Sequence, residues 1–399
     1  MEFVLVLALL IGFLIVYHHA IYPILLKLFA NKNATSGAEG EQSAQIKDED
    51  CPTIHLILPA YNEADVVADK LRNVAKLDYP ADKLKITLVG DGCKDDTMAI
   101  ARQTLTQIDN CSFEIEIDEH IENRGKIGVL NQSIGDSTAD IIALSDISAL
   151  INEQAMRIAA KRFMDKKVGV VNSSYQFANY SSEGEKAYWM YQSRVKKMET
   201  DTGSVIGAHG ALYFFRRHLF APLPKDTIND DFILPMRIVE QGYKAVHDEN
   251  IVALELECVQ TDANNHRRMR IAAGNLQQAI RLRGLLKPSF KGVAFNFLSG
   301  KVLRVCMPFL LLSFYLLSFV LAPFYAFFAF LALGQTVFYT LALYLHYTRR
   351  EPNEAGSQGA EVDNKLNKLF AVIYYFASGY WFSFIGMTQY LAKTKTFKV

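Results

Sequence analysis

Acidic residues recur in this chain at places where a carboxylate can hold a ligand or move a proton. Asp146 ends the apolar run Ile141-Ile142-Ala143-Leu144 inside ADIIALSDISAL, Ala139 to Leu150. Asp91 stands between Gly90 and Gly92, where the backbone can approach a ligand and a carboxylate can accept hydrogen bonds from a base or ribose. Asp230 and Asp231 are paired in Asn229-Asp230-Asp231-Phe232. Lys126 follows Gly125 at a helix start, where free N–H groups, the helix dipole and an ammonium together suit phosphate. A carboxylate placed like Asp146 can hold a hard cation or a sugar hydroxyl. Plainer uses compete: Asp146 capping a following helix, Asp230 and Asp231 capping a helix through Glu240, and Asp and Gly as ordinary turn residues.

The elements that must position these groups alternate regularly. Ile54–Leu58 reads as a strand ending in Pro59-Ala60-Tyr61-Asn62-Glu63, followed by a helix over Ala64–Ala75. Ile86–Val89 reads as a second strand ending in Gly90 to Asp96, and a helix runs from Thr97 to about Gln107 with Asp96 as its cap. Phe113–Ile117 is a third strand, and Asn123-Arg124-Gly125-Lys126 leads into a helix through Ile134. Ile141–Leu144, short, apolar and bounded by polar residues, has the pattern of a strand buried on both faces. This alternation predicts an α/β domain with a parallel sheet covered on both faces, whose carboxyl edge opens on a ligand crevice. The polar loops all gather on that edge. There is no GxxxxGK[ST], which disfavours a P-loop kinase or ATPase, and GxGxxG after the first strand is also missing.

The 399 residues carry their apolar content at the two ends, with charged residues concentrated between, the profile of a soluble domain held between membrane segments. The formal net charge is zero, which argues against a nucleic-acid binder. The five cysteines, Cys51, Cys93, Cys111, Cys258 and Cys306, form no CxxC and read as reduced thiols. Phe3–Phe29 is long enough to span the roughly 30 Å hydrocarbon layer. A secretory signal is disfavoured, because Glu2 replaces a basic leader and no small-residue cleavage site follows. Lys27 at the end of this span and Lys32 after it place the N-terminus outside and the domain in the cytoplasm. Three further stretches, about Val302–Ala322, Phe324–Tyr347 and Leu369–Ala392, are long enough to cross. Arg349, Arg350, Lys365 and Lys368 suit a cytoplasmic loop before the last of them. Counting crossings puts the C-terminus outside, whereas Lys393, Lys395 and Lys398 favour the inside, so full crossing by the last stretch is left open. The expected organisation is a transmembrane helix over 1–30, a linker over 31–50, a cytosolic domain over 51–285, an interfacial segment over 286–304, and a transmembrane region of about three helices over 305–399.

The ordered set LPAYNE (Leu58 to Glu63), VGDGCKDDT (Val89 to Thr97), NRGKIGVLN (Asn123 to Asn131), LSDIS (Leu144 to Ser148), NDDF (Asn229 to Phe232) and NHRRMR (Asn265 to Arg270) resembles the membrane-bound family 2 glycosyltransferases. Within them it is most similar to the cellulose, chitin, hyaluronan and poly-N-acetylglucosamine synthase-like branch. The likeness runs from about residue 53 through the final membrane segments, and its motifs specify the family far better than the sugar. It implies a Rossmann-like nucleotide-diphospho-sugar transferase domain of GT-A type with a mixed sheet, flanked by transmembrane helices at both ends.

The resemblance also implies roles. Pro59, Ala60, Tyr61, Glu63 and Asp91 match positions that hold the nucleotide, and Lys126 matches the lysine near its base and phosphates. Asp146 matches the metal-contacting acid of a DxD motif, with Mg²⁺ or Mn²⁺ completed by diphosphate oxygens. Asp231, beside Asp230, matches the base that deprotonates the acceptor hydroxyl in a single inverting displacement. Arg267 and Arg268 fall where the family has QxxRW and would stabilise charge on the leaving diphosphate; a cytoplasmic face attracted to anionic lipid is the other reading of the Arg267 to Arg283 cluster. His209 and Gly210 resemble the acceptor-side loop, although a lone His among glycines also serves structure. Tyr188, Trp189 and Tyr191 suit either a sugar-stacking platform or core packing. The chain departs from the pattern at Gly90 (first acid of the DD pair), Ser148 (second acid of DxD), and Asn265 and Met269 (Gln and Trp of QxxRW). The implied activity is a metal-dependent inverting hexosyl transfer from a UDP-sugar to a growing glycan at the cytoplasmic face of the plasma membrane, with membrane lipid around it. Its rivals are transfer of one sugar to a lipid carrier or glycolipid, and an inactive binding or export subunit. The motifs leave export or polymerisation partners unknown.

Overall fold

A computed structural model describes residues 1–33, 46–108, 111–178, 183–256, 261–348 and 365–393. Cys258, most of the linker, and the basic residues at 349–350, 395 and 398 lie outside them, as do the side chains of residues 183–189 and 365–368. The chain divides into two compact units, one built on Met1–Tyr22, Gln260–Leu276 and Val302–Thr396, the other on Pro23–Val259 and Gln277–Lys301.

In the second unit one eight-stranded sheet has the order β3-β2-β1-β4-β7-β6-β8-β5. Strands β1 (Ile54–Ala60), β2 (Leu84–Asp91), β3 (Ile115–His120) and β4 (Ile141–Leu144) are parallel, as the alternating pattern predicts. β7 (Tyr213–Arg216) then runs antiparallel to both β4 and β6 (Val168–Phe177). β8 (Lys244–Glu255) is parallel to β6, and β5 (Ala149–Ile151) is antiparallel to β8. The whole sheet is therefore mixed, as the resemblance implied. β1 is buried along both faces, with Ile54, Leu56, Ile57 and Leu58 at 1 % exposure or less, because helices pack over each side. β3 starts two residues later than expected and alternates half-buried with exposed positions, since as an edge strand it has one neighbour and one solvated face.

Helix α1 (Glu2–Val16) passes through a π-turn into α2 (Tyr22–Asn33). α3 covers Val67–Val74, shorter than expected, because Asn62 adopts a left-handed φ of 55° and the backbone turns through residues 61–66 before the helix begins. α4 (Thr97–Gln107) and α5 (Lys126–Asp136) follow β2 and β3. Asp96 holds the N-cap position of α4 without a side-chain cap bond; Asp95 Oδ1 instead accepts from Thr97 N at 3.1 Å. α6 (Ala155–Arg162) and α7 (Glu183–Asp201) flank β6, and α8 (Asp230–Glu240) follows β7.

α9 (Thr261–Arg281) begins in the first unit. The segment expected to lie in the interface plane holds a short α10 (Gly292–Asn296) that continues through a π-turn into α11 (Leu303–Leu321). Asn296 and Phe297 are fully buried, and Asn296 Nδ2 donates to Thr202 Oγ1 at 2.8 Å. α12 (Ala326–Thr348) and α13 (Lys365–Leu391) complete the chain. Among the described residues three helices are long and apolar enough to cross a membrane: Glu2–Ala30, Gly292–Leu321 and Ala326–Tyr347. Within the first unit Ala8, Leu321 and Phe328 pack together. A Cβ on Gly386 of α13 would lie 2.2 Å from Met269 O, so glycine is what permits α13 to approach α9 there.

Candidate active site

The site lies at the carboxyl edge of the parallel strands. β1 delivers Pro59 and Ala60, after which Tyr61 is 44 % exposed and able to meet a ligand. Asn62 Oδ1 accepts from Lys94 N at 2.8 Å, and Glu63 N donates to Thr97 Oγ1 at 2.7 Å, which ties the loops after β1 and β2 together. β2 delivers Asp91, buried at 4 % exposure. Its Oδ1 accepts from Arg124 N at 2.9 Å, and Asn123 Nδ2 donates to its carbonyl at 3.0 Å. Gly92 is required beside it, because its φ is +67° and a Cβ would lie 2.6 Å from Asn123 N.

Gly125, at φ 76°, turns the chain into α5, and Lys126 is the first helical residue. Its Nζ donates to Asp146 Oδ1 at 2.9 Å and lies 3.8 Å from Asp230 Oδ2. Burial would lower the Lys126 ammonium, but the carboxylates of Asp146, Asp230 and Asp231 hold it well above the usual lysine range. Asp146 leaves β4 on a turn that runs straight into β5, and no helix starts before Ala155, so the capping alternative for Asp146 lapses. Burial would raise its carboxyl, yet Lys126, His209 and Lys70 keep it below the usual carboxylate range.

Asp230 and Asp231 open α8, whose N-cap is Asn229 with no side-chain cap bond, so neither acid is spent on capping. Asp231 O accepts from Ala208 N at 2.9 Å, which docks the loop of residues 207–210 on the start of α8. Asp231 is pushed up to about 6, first by burial and then by the charges of Asp230 and Asp146, against Lys126 and Lys196. A carboxylate with that value is matched to take a proton near neutral pH.

His209 stacks on Tyr175 with ring centroids 3.6 Å apart, and Ala211 N donates to its Nδ1 at 3.3 Å. Asp146 N donates to Gly210 O at 3.3 Å, and a Cβ on Gly210 would lie 2.9 Å from Asp146 Oδ2. The structure therefore brings Lys126, Asp146, Asp230, Asp231, His209 and Gly210 together. Arg267 and Arg268 belong to the other unit, where Arg268 Nη1 donates to Ser378 Oγ at 3.3 Å. Tyr191 is 43 % exposed, and the side chains of Tyr188 and Trp189 are outside the described residues.

Three residues escaped the sequence reading. Tyr213 is 1 % exposed, its Oη has no hydrogen-bond partner among the described residues, and burial together with Asp230, Asp231 and Asp146 raises its hydroxyl well above the ordinary value. Lys196 on α7 is lowered by burial while Glu199 and Asp231 oppose. Lys70 on α3 is fully buried. Only Lys70 left a local signal, a lysine on the apolar stripe of Val67, Leu71 and Val74.

Among the described residues no group of three or more His, Cys, Asp or Glu could hold a metal ion. Asp146 offers one carboxylate, 39 % exposed, with Oδ1 on Lys126 and Oδ2 against Gly210. That donor set fits a hard cation whose remaining ligands are supplied by a bound diphosphate, and does not fit a resident all-protein metal site.

Residues 52–270 match the family described as Glycosyltransferase like family 2. The chain is 26% identical to the poly-beta-1,6-N-acetyl-D-glucosamine synthase of Staphylococcus aureus (strain MSSA476) over 203 residues, 49% of this chain and 48% of that protein. It is 24% identical to the beta-monoglucosyldiacylglycerol synthase of Trichormus variabilis over 241 residues, 57% of this chain and 50% of that protein. It thus spans about half the length of the curated relatives it matches. Among solved structures, the mannosyltransferase PcManGT from Pyrobaculum calidifontis in complex with GDP-Man and Mn²⁺ superposes with a TM-score of 0.71 at 22% identity, covering 98% of this chain and 100% of that one. The shared fold is the GT-A-like mixed sheet.

Proposed function

We propose, from the premise that the chain belongs to the glycosyltransferase like family 2, that it is a membrane-bound inverting transferase moving a sugar from a UDP-sugar to a growing glycan. The observation that carries this reading is Asp231, pushed up to about 6 beside Asp230 and across from Asp146 and Lys126. Asp231 takes the proton of the acceptor hydroxyl as that oxygen attacks the anomeric carbon. The bond to the diphosphate breaks, the nucleoside diphosphate leaves with the electron pair, and one displacement inverts the centre. Lys126 meets the charge that develops on the leaving phosphate. Asp91 and the loop of Pro59, Ala60, Tyr61 and Glu63 hold the nucleotide. Asp146 would hold Mg²⁺ or Mn²⁺ together with the diphosphate, where the cation would supply Lewis-acid neutralisation of the leaving group. His209 and Gly210 border the acceptor, and by motif match alone Arg267 and Arg268 are the counterpart of the family's diphosphate-side arginine. The domain works on the cytoplasmic face of the plasma membrane, with the N-terminus outside.

A second reading keeps the chemistry and transfers a single sugar to a lipid carrier or glycolipid. Met269, where processive members have Trp, favours it, as does the likeness to a synthase of a glucosyldiacylglycerol. Both readings are tested by incubating the purified full chain with UDP- and GDP-sugars and Mn²⁺ or Mg²⁺. Release of UDP that Asp231→Asn abolishes is expected; no release from any donor, release of GDP alone, or release that survives the substitution refutes them. Product length separates polymer from single transfer.

A further inference from the structure

Helix α3 presents a buried polar face to the turn that carries Asp146. Lys70 is 0% exposed in a stripe whose other members, Val67, Leu71 and Val74, are equally buried. Its Nζ donates to Ser145 Oγ at 2.7 Å and also to Ala149 O. Ser145, just after β4, and Ala149, the first residue of β5, bracket the turn Asp146-Ile147-Ser148. One helical step further, Asn73 Nδ2 donates to Ile151 O at 2.8 Å, and Ile151 N donates back to Asn73 Oδ1 at 2.8 Å. Ser145 Oγ in turn donates to Ala211 O at 2.6 Å, next to the loop of His209 and Gly210.

The countercharge lies on the far side. Glu255, 8% exposed, is the register partner of Ala149 on β8, and its Oε2 accepts from Tyr175 Oη at 3.3 Å. Tyr175 is the ring on which His209 stacks. Burial lowers the Lys70 ammonium to about 7, with Asp146 and Glu255 opposing. An apolar side chain of the same length would fill this space without the desolvation cost of an ammonium. What it would lack is the pair of hydrogen bonds to the turn.

We propose that Lys70 is the positioning residue for Asp146: with Asn73 it ties the segment 145–151 to α3, and so fixes the carboxylate where the donor's diphosphate and its divalent cation bind. This rests on the proposed transferase reading. Lys70 touches neither substrate nor cation; it acts through Ser145 and the Ala149 carbonyl. Because nucleotide recognition by Asp91 comes from β2, away from this tie, losing Lys70 uncouples cation binding from nucleotide binding.

The test uses the full chain in detergent, wild type and Lys70→Met, with two titrations. UDP and GDP binding is measured without metal, and Mn²⁺ binding is followed by electron paramagnetic resonance in the presence of the nucleotide that binds. Lys70→Met should leave the metal-free nucleotide Kd within about twofold and raise the Mn²⁺ Kd about tenfold, while its thermal midpoint stays at or above that of wild type. Mn²⁺ binding equal to wild type, or a parallel loss of both affinities together with the thermal midpoint, overturns the proposal. Should Lys70→Met fail to fold, Ser145→Ala, which removes one tie, is read in the same way: selective loss of Mn²⁺ affinity supports the proposal and unchanged affinity overturns it. If wild type itself binds Mn²⁺ no better with UDP or GDP than without, the transferase reading fails and takes this inference with it; a failure confined to the variants sinks the inference alone.

Discussion

Asp230→Asn is the perturbation that probes the chemistry of Asp231 most finely, because it removes one charge and little volume. Asp231 is displaced from the ordinary 3.8 to about 6, a penalty of about 3 kcal/mol on its ionised form at 1.36 kcal/mol per pH unit. Burial is the larger cause and the Asp230 charge the second. Neutralising Asp230 removes the second of these causes and moves the titration down, by about one pH unit for each 1.36 kcal/mol of penalty it relieves. The direction is set by the role: a base must be ionised, so kcat/KM rises with pH through about 6 in wild type and levels off above it. In Asp230→Asn that limb moves to lower pH. A downward move of about half a pH unit would carry the ionised fraction at pH 5.5 from about one quarter of its plateau to about one half. The plateau itself falls, because Asp230 also faces Lys126 at 3.8 Å. The assay is a pH profile of kcat/KM for the donor, which reports the free enzyme. A limb that stays in place or moves up refutes the electrostatic account, and so does a limb near 6 that persists in Asp231→Asn.

Two further substitutions probe the loop of residues 207–210. Gly210→Ala puts a Cβ within 2.9 Å of Asp146 Oδ2, so the acid must shift, and kcat/KM measured with Mn²⁺ should fall roughly 10- to 100-fold while metal-free nucleotide affinity holds. Gly207→Ala combines a φ of +77° with a Cβ 2.3 Å from Phe232 Cδ2. Its cost of about 2–5 kcal/mol, backbone strain plus overpacking, should appear as a clearly lowered thermal midpoint.

The parallel half of the sheet was legible because it is local. There β1, β2 and β3 are each followed by a helix, and the polar loops after β1, β2 and β4 and before α5 advertise themselves by Gly, Asp and Asn. Lys126 and Asp146 could be named from such signals and lie 2.9 Å apart, and Asp231, whose role came from the resemblance, adds its charge to Asp146's on Lys126. The other half was not legible. β6 and β8 pair across an interval that holds α7, β7 and α8, and no local periodicity announces a pairing that distant. Tyr213 sits in Tyr-Phe-Phe-Arg, where an aromatic strand residue reads as core; that its hydroxyl lies near three acids is a tertiary fact. Lys70 shows the middle case. Its place on an apolar stripe was visible, but the partners that make a buried ammonium tolerable come from residues 145 and 149, far along the chain.

The proposed direct displacement, with Asp231 as base, would fix the stereochemistry of the product. The most direct test is therefore the anomeric configuration of the first glycoside formed from an α-linked nucleotide-sugar, read by nuclear magnetic resonance before any rearrangement. Inverting transfer predicts a β-linkage, lost together with turnover in Asp231→Asn; an α-linkage would contradict it.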